Sequence, residues 1–360
     1  MTDDDQRQTR APEAHPPQLD EAHAVRGQGS AEAGARAAGA AREDAGSADG
    51  PPAATGAADA SGAAAGGDEA IVSSTAGDPS GADPAGAPPG ASAAGPAAGS
   101  AGRRLTLAVT FLTGIPLKVE GDVSPADLWG SMGWYPLVGL AMGFAAWVGY
   151  AGLVSFLPGL VAATLVVILL ELLTRGLHLD GLMDTADGIL SGAPRERALE
   201  IMKDHNVGAM GVAAAVLLLV LKVAALGALS RADAAAPLLA GWCAARALPA
   251  LNVYWWPYAR LAGTGEAFTR DHTPGPLQLA GGLLAAGVVV AGAAGLWAGA
   301  AGSWYAGLLA AAVSMGVALG VQAVVAKRLG GLTGDVYGMG IELAEAAALV
   351  VGCAIVGLVT

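Results

Sequence analysis

Glu171 to Gly211 reads ELLTRGLHLDGLMDTADGILSGAPRERALEIMKDHNVGAMG, an apolar run that ends in a burst of acid and continues into base. His178, Asp180, Asp184 and Asp187 fall within ten residues at the end of a hydrophobic stretch, where each ionised group is expensive unless it is paired, solvated or metal-bound. The three aspartates stand at i, i+4 and i+7, so a helix here projects all three carboxylates from one face. Three such charges repel one another. A hard divalent cation with few protein donors, Mg²⁺ shared with substrate phosphates, removes that repulsion. The plain alternative is a solvated acidic loop. Against it, the acidic run contains no Lys, and Gly176, Gly181 and Gly188 permit close backbone approach. Arg195, Arg197 and Lys203 then follow, suited to phosphate oxygens. Acid then base in one loop reads as metal plus phosphate. A neutral imidazole at His178 suits proton removal from an attacking hydroxyl, or metal ligation.

Outward from this stretch the chain is a membrane protein by composition, 54% hydrophobic and 14% charged over 360 residues. Leu105 to Leu117, LTLAVTFLTGIPL, is too short to cross a hydrocarbon core that needs about twenty residues, and reads as interfacial or re-entrant. Beyond it lie seven candidate spans, roughly 133–156, 159–174, 208–229, 235–256, 277–300, 303–325 and 338–359. The second is short, so six to eight spans are compatible with the pattern. The fold class is therefore all-α, a polytopic helical bundle. Gly139, Gly143 and Gly149 give GxxxG-like spacing that suits close helix contact.

Basic residues near span ends stay on the cytoplasmic side. With the N-terminus inside, that side holds Arg103, Arg104, Lys118, Arg175, Arg195, Arg197, Lys203, Arg260, Arg270, Lys327 and Arg328, and the other side holds Arg231. The same layout gathers the charged loops at about 175–207, 257–276 and 326–337 on the cytoplasmic face of the inner membrane. Residues 1–102 lack Phe, Trp and Tyr and read as a disordered tail; residues 103–360 form the membrane domain. The net charge of -12 belongs to the tail, where residues 1–100 carry 15 acidic and 5 basic side chains, against 16 and 14 in the rest. The start, MTDDDQRQTR, has no basic n-region or apolar h-region of a secretory signal. Cys243 and Cys353 lie in apolar stretches without metal-site spacing and read as packing residues.

Lys222, Arg246, Glu342 and Glu345 fall inside candidate spans and must face the bundle interior or a polar cavity. Two readings stand open. Either the acids pair with Arg246 or Lys222 as structural glue, or they help to bind a polar substrate from the loops above.

The segments HLDGLMDTADGILSG and RERALEIMKDHNVGAMG resemble the cobalamin synthases, the adenosylcobinamide-GDP ribazoletransferases. The resemblance extends to TFLTGIPL, GWYPLVGLAMG, Arg246 and Pro249 in CAARALPAL, and GLTGDVYGMGIELAEAAAL, and so covers about residues 103–360. It implies a Mg²⁺-dependent integral-membrane transferase that joins adenosylcobinamide-GDP to α-ribazole or its 5′-phosphate and releases GMP. Carried onto this sequence, Asp180, Asp184 and Asp187 hold metal and His178 stands beside them. In an in-line displacement at phosphorus, His178 and Asp184 are then the catalytic candidates. Arg195, Lys203, Asp204, Arg246, Asp335 and Glu342 are the substrate-binding candidates. The sequence departs from the family pattern at KDHNVG, where a serine is expected after the aspartate, which leaves His205 and Asn206 without an inherited role. The expected partners are the two substrates and the lipid bilayer, with no nucleic acid; a second copy or another cobalamin-assembly enzyme is a further candidate partner, and the tail is a candidate tether.

Two other readings compete with this one. A CDP-alcohol phosphotransferase also clusters aspartates on membrane helices, but here Asp180-Gly181 lacks the following Ala-Arg and the aspartate intervals differ. A transporter would use Glu171, Lys222, Arg246 and Glu342 at the midplane, yet the halves show no repeat and the polar chemistry sits at the membrane boundary.

Overall fold

Apolar side chains that continue around whole helices, broken by Gly and Pro at the turns, build the long elements of this chain. The computed structural model describes residues 99–260, 273–300 and 303–359; expectations placed on the tail up to residue 98 and on Arg270 lie outside these residues. The described helices are α1 (Ala101–Leu112), α2 (Pro125–Met132), α3 (Tyr135–Leu153), α4 (Gly159–Leu173), α5 (Leu177–Leu190), α6 (Arg195–Ile201), α7 (Ala209–Ala228), α8 (Ala235–Trp255), α9 (Gly275–Trp297), α10 (Ser303–Leu329) and α11 (Gly334–Val359). The seven expected spans correspond to α3, α4 and α7 to α11, with ends shifted by a few residues.

Five of these, α3, α7, α9, α10 and α11, are long and apolar enough to cross a membrane alone, and α4 with α5 makes a sixth candidate bent by 88°. At 15 residues α4 is about 22 Å long. Its outer side chains, such as Leu169 and Leu172, are largely exposed, as are Leu217 on α7, Val289 on α9 and Val324 on α10. Apolar groups on the outside and charge on the inside suit lipid as solvent.

The remaining expected span, α8, falls outside that apolar set for a reason visible in its surroundings. It is the central helix, with 18 of its 21 residues buried, and protein covers it on every side, so its composition need not satisfy lipid. Small residues let its neighbours close in. A side chain at Gly139 or Gly143 of α3 would collide with the backbone carbonyls of Trp242 or Leu238, so this Gly-xxx-Gly pair seats α3 directly on α8. Gly149 faces open space and takes no part in that contact.

The short α1 does not span. Ser100 caps it by accepting from the Arg103 amide, and Gly99 donates to Asp127, which completes a capping box with Ser124 at the start of α2. Residues 99 and 100, which the sequence reading places in the tail, are thus tied to α1 and α2. At the same end of the bundle the charged loops lock together. Arg195 donates to the carbonyls of Leu329 and Ala259, Arg328 to that of Ala193, and a parallel bridge joins Tyr258 to Leu332. At the opposite end Trp147 and Tyr150 of α3 donate to the carbonyls of Arg231 and Leu229.

Candidate active site

After α4 the chain turns through Thr174, Arg175 and Gly176, the last two with left-handed φ of 54° and 67°, and α5 leaves at a right angle. It runs across the starts of α7 and α11, at that end of the bundle. Both ends are fixed by close contacts that require glycine. Gly181 lies on the backbone of Asp335, and Gly338 on that of His178. At the far end Asp187 accepts from the amides of Gly208 and Gly211, each at 2.8 Å. Any side chain at either glycine would strike the Asp187 carboxylate. Asp187 thus caps the N-terminus of α7 from another helix, where orphan amides and the helix dipole favour a negative charge.

The helix carries Asp180 and Asp184 one turn apart. Burial, then the charges of Asp180 and Asp335, push the Asp184 carboxyl up to about 7, with Asp187 adding to the rise and Arg260 opposing it. His178 is buried, and neither ring nitrogen has a hydrogen-bond partner among the described residues. Burial first, then the positive charges of Arg246 and Lys222, hold its imidazole well below the usual range, so it is neutral at pH 7 and able to accept a proton. His178, Asp180, Asp335 and Arg260 line one cavity of about 230 Å³. Arg260 donates to Asp335 at 2.7 Å and to the Met202 carbonyl at 3.2 Å, and the Thr333 hydroxyl also bonds Asp335. A larger cavity of about 910 Å³ adjoins it, with Phe111, Leu177 and Asp180 common to both walls.

The sequence candidates therefore separate. His178, Asp180, Asp184 and Asp335 converge. Asp187 is near them, but its oxygens already serve α7. Arg246 and Glu342 belong elsewhere: Lys222 contacts Glu342 at 2.5 Å, Glu345 at 2.7 Å and Glu171 at 3.4 Å, and Arg246 pairs with Glu345. Each of these buried cations has carboxylate partners in the structure, the arrangement that the first of the two open readings expects. Arg195 likewise holds loops together through two backbone carbonyls instead of reaching into the cavity. Lys203 is exposed, and Asp204 is turned onto Asn206 through two hydrogen bonds. Arg260 went unread as a site residue in the sequence, since nothing local distinguishes it from other loop cations.

Among the described residues no three His, Cys, Asp or Glu side chains form a group able to hold a metal alone. The donor set nonetheless fits an ion that takes most of its ligands from water and phosphate: carboxylate oxygens on one helical face, one of them keeping a proton that a cation would displace.

Comparison with known proteins identifies the relatives of this chain. The sequence model of the family described as cobalamin-5-phosphate synthase matches residues 104–353. An adenosylcobinamide-GDP ribazoletransferase of Desulfitobacterium hafniense is 40% identical over 253 residues, covering 68% of this chain and 93% of its own. Those of Brevibacillus brevis and Ectopseudomonas mendocina are 39% and 38% identical, each covering 68% of this chain and 95% of their own. No solved structure matches.

Proposed function

The chain belongs to the cobalamin-5-phosphate synthase family, and from that premise we propose that it transfers the cobinamide phosphate of adenosylcobinamide-GDP to a ribose hydroxyl of α-ribazole or its 5′-phosphate, with GMP as the leaving group. The new bond joins the ribose oxygen to the phosphorus that carries cobinamide. The bond that breaks is the pyrophosphate link to GMP, and the hydroxyl proton passes to a base. The observation that carries this reading is the meeting of Asp180, Asp184, Asp335 and Arg260 with a neutral buried His178 at one end of an apolar bundle.

Asp180 and Asp184, aided by Asp335, are the residues proposed to hold Mg²⁺, and Asp187 to keep their helix in register. When bound, the cation supplies charge neutralisation on the phosphate oxygens. His178 takes the hydroxyl proton on the ring nitrogen that carries none in the neutral imidazole; neither nitrogen is engaged by a partner among the described residues. Arg260, fixed by Asp335, faces the small cavity and offers donors to a pyrophosphate oxygen. Lys203 is retained as an outer phosphate contact. The site is assigned to the cytoplasmic face of the inner membrane, on the strength of the basic loops that surround it.

The test is GMP release from adenosylcobinamide-GDP and α-ribazole by the detergent-purified protein, with and without Mg²⁺, against Asp184→Asn. Turnover that requires both the metal and Asp184 supports the assignment. A folded native protein that binds the corrinoid yet releases no GMP with any divalent metal would refute it.

A further inference from the structure

The cavity of about 910 Å³ lies between α1, α2 and the α4–α5 turn, and it meets the small cavity at Asp180. Its size is that of a ligand pocket, and its walls are mostly apolar with a few placed polar groups. The rings of Phe111 and Tyr135 lie near parallel, 14° apart with centroids at 6.0 Å, and both line it. Thr110 presents a buried hydroxyl without a partner among the described residues.

One residue at the rim is held against its own backbone preference. Arg175 has φ 54°, the sole positive value among described non-glycine residues. Glycine would occupy this conformation without strain, so the side chain is retained for what it does. It is exposed, it lines the cavity, and none of the ion pairs or hydrogen bonds among the described residues engages its guanidinium. Its path is kept open by Gly114, where a methyl group would lie 2.8 Å from the Arg175 Nε. Gly114 is itself tied to the Leu173 carbonyl.

We propose that this cavity is the acceptor subsite, built for an aromatic nucleoside 5′-phosphate: the base against Phe111 and Tyr135, a ribose hydroxyl towards Asp180, and the 5′-phosphate on Arg175. This rests on the transferase reading above and deepens it, because Arg175 then sets the preference between phosphorylated and unphosphorylated acceptor. A guanidinium matches a terminal phosphate in charge and geometry, and the product named in the family description carries such a phosphate. The donor's pyrophosphate is left to the neighbouring cavity and Arg260.

The experiment measures binding of α-ribazole and of α-ribazole 5′-phosphate to the full chain in detergent, by equilibrium dialysis without donor, alongside the KM for each substrate. Arg175→Gly removes the side chain and keeps the backbone geometry, so the variant should fold with an unchanged or higher thermal midpoint. The expected result is a loss of about tenfold or more in affinity for the phosphorylated acceptor, little change for the unphosphorylated one, and no change in KM for adenosylcobinamide-GDP. Phe111→Ala should weaken both acceptors together. Equal losses for both acceptors with Arg175→Gly, no loss for either, or a raised donor KM would overturn the assignment. A native chain that binds the acceptors as described yet forms no GMP would sink the transferase reading and leave the subsite standing. GMP formation with unaltered acceptor preference in Arg175→Gly would do the reverse.

Discussion

Replacing Lys222 with Met tests what holds the bundle together beneath the site. The Lys222 ammonium is 2% exposed and faces three carboxylates, of Glu342, Glu345 and Glu171. Met matches it roughly in volume, so the lost term is electrostatic. Removing one partner of a buried ion pair costs about 3–5 kcal/mol, because the other charge stays buried and unmatched. Here three acids would face Arg246 alone. For an ordered region of this size about 2–4 °C of thermal midpoint accompanies each kcal/mol, so the expected fall is on the order of 10 °C. The assay is loss of the monodisperse peak in detergent after stepwise heating. The double variant Lys222→Met with Glu342→Gln restores the native excess of one carboxylate and should recover at least half of the loss. A single variant within about 2 °C of native, or a double variant no better than the single, would refute the claim that these charges stabilise by mutual pairing.

Other outcomes follow from the site and its edges. Asp187→Ala uncaps α7 and should lower the midpoint by a few degrees, the effect of about 1–2 kcal/mol, while Gly208→Ala should do the same by pushing the carboxylate away. With its carboxyl raised to about 7, Asp184 contributes fully to stability below its unfolded value near 4, and that contribution is lost as pH rises through 7. Metal-free protein should therefore melt lower at pH 8 than at pH 6, with a larger rise on adding Mg²⁺ at pH 8; Asp184→Asn should flatten both trends. Deleting residues 1–98 should leave GMP release intact, whereas deletion through residue 102 also removes the Ser100 cap and the Gly99–Asp127 bond and should lower the melting point measurably.

Local pattern made the bundle legible. The spans show as long apolar runs, and the i, i+4, i+7 spacing showed that α5 would present its aspartates together. Pattern also exposed its own limit at α8, whose Ala-rich sequence, interrupted by Arg246, Asn252 and two prolines, is less apolar than the outer helices because protein surrounds it. What stayed hidden depended on contacts between distant segments. Lys222 and Glu342 are 120 positions apart, and no window of sequence shows that they meet, so the choice between glue and substrate contact stayed open. Asp187 looked like Asp180 and Asp184, yet Gly208 and Gly211 reserve its oxygens for their amides. Arg260 and Phe111 had no signal in composition or spacing; each gains meaning only from the cavity it lines.

The shortness of α4 has a further consequence for the membrane itself. A helix of about 22 Å beside α7 of 20 residues and α3 of 19 leaves a hydrophobic mismatch on one flank of the protein. Lipid meets such a flank by thinning, which draws the water boundary down towards the α4–α5 turn. Water-soluble substrates can then reach carboxylates anchored at a bundle end without a channel through hydrocarbon, and the acyl-chain length of the surrounding lipid becomes a variable of the reaction.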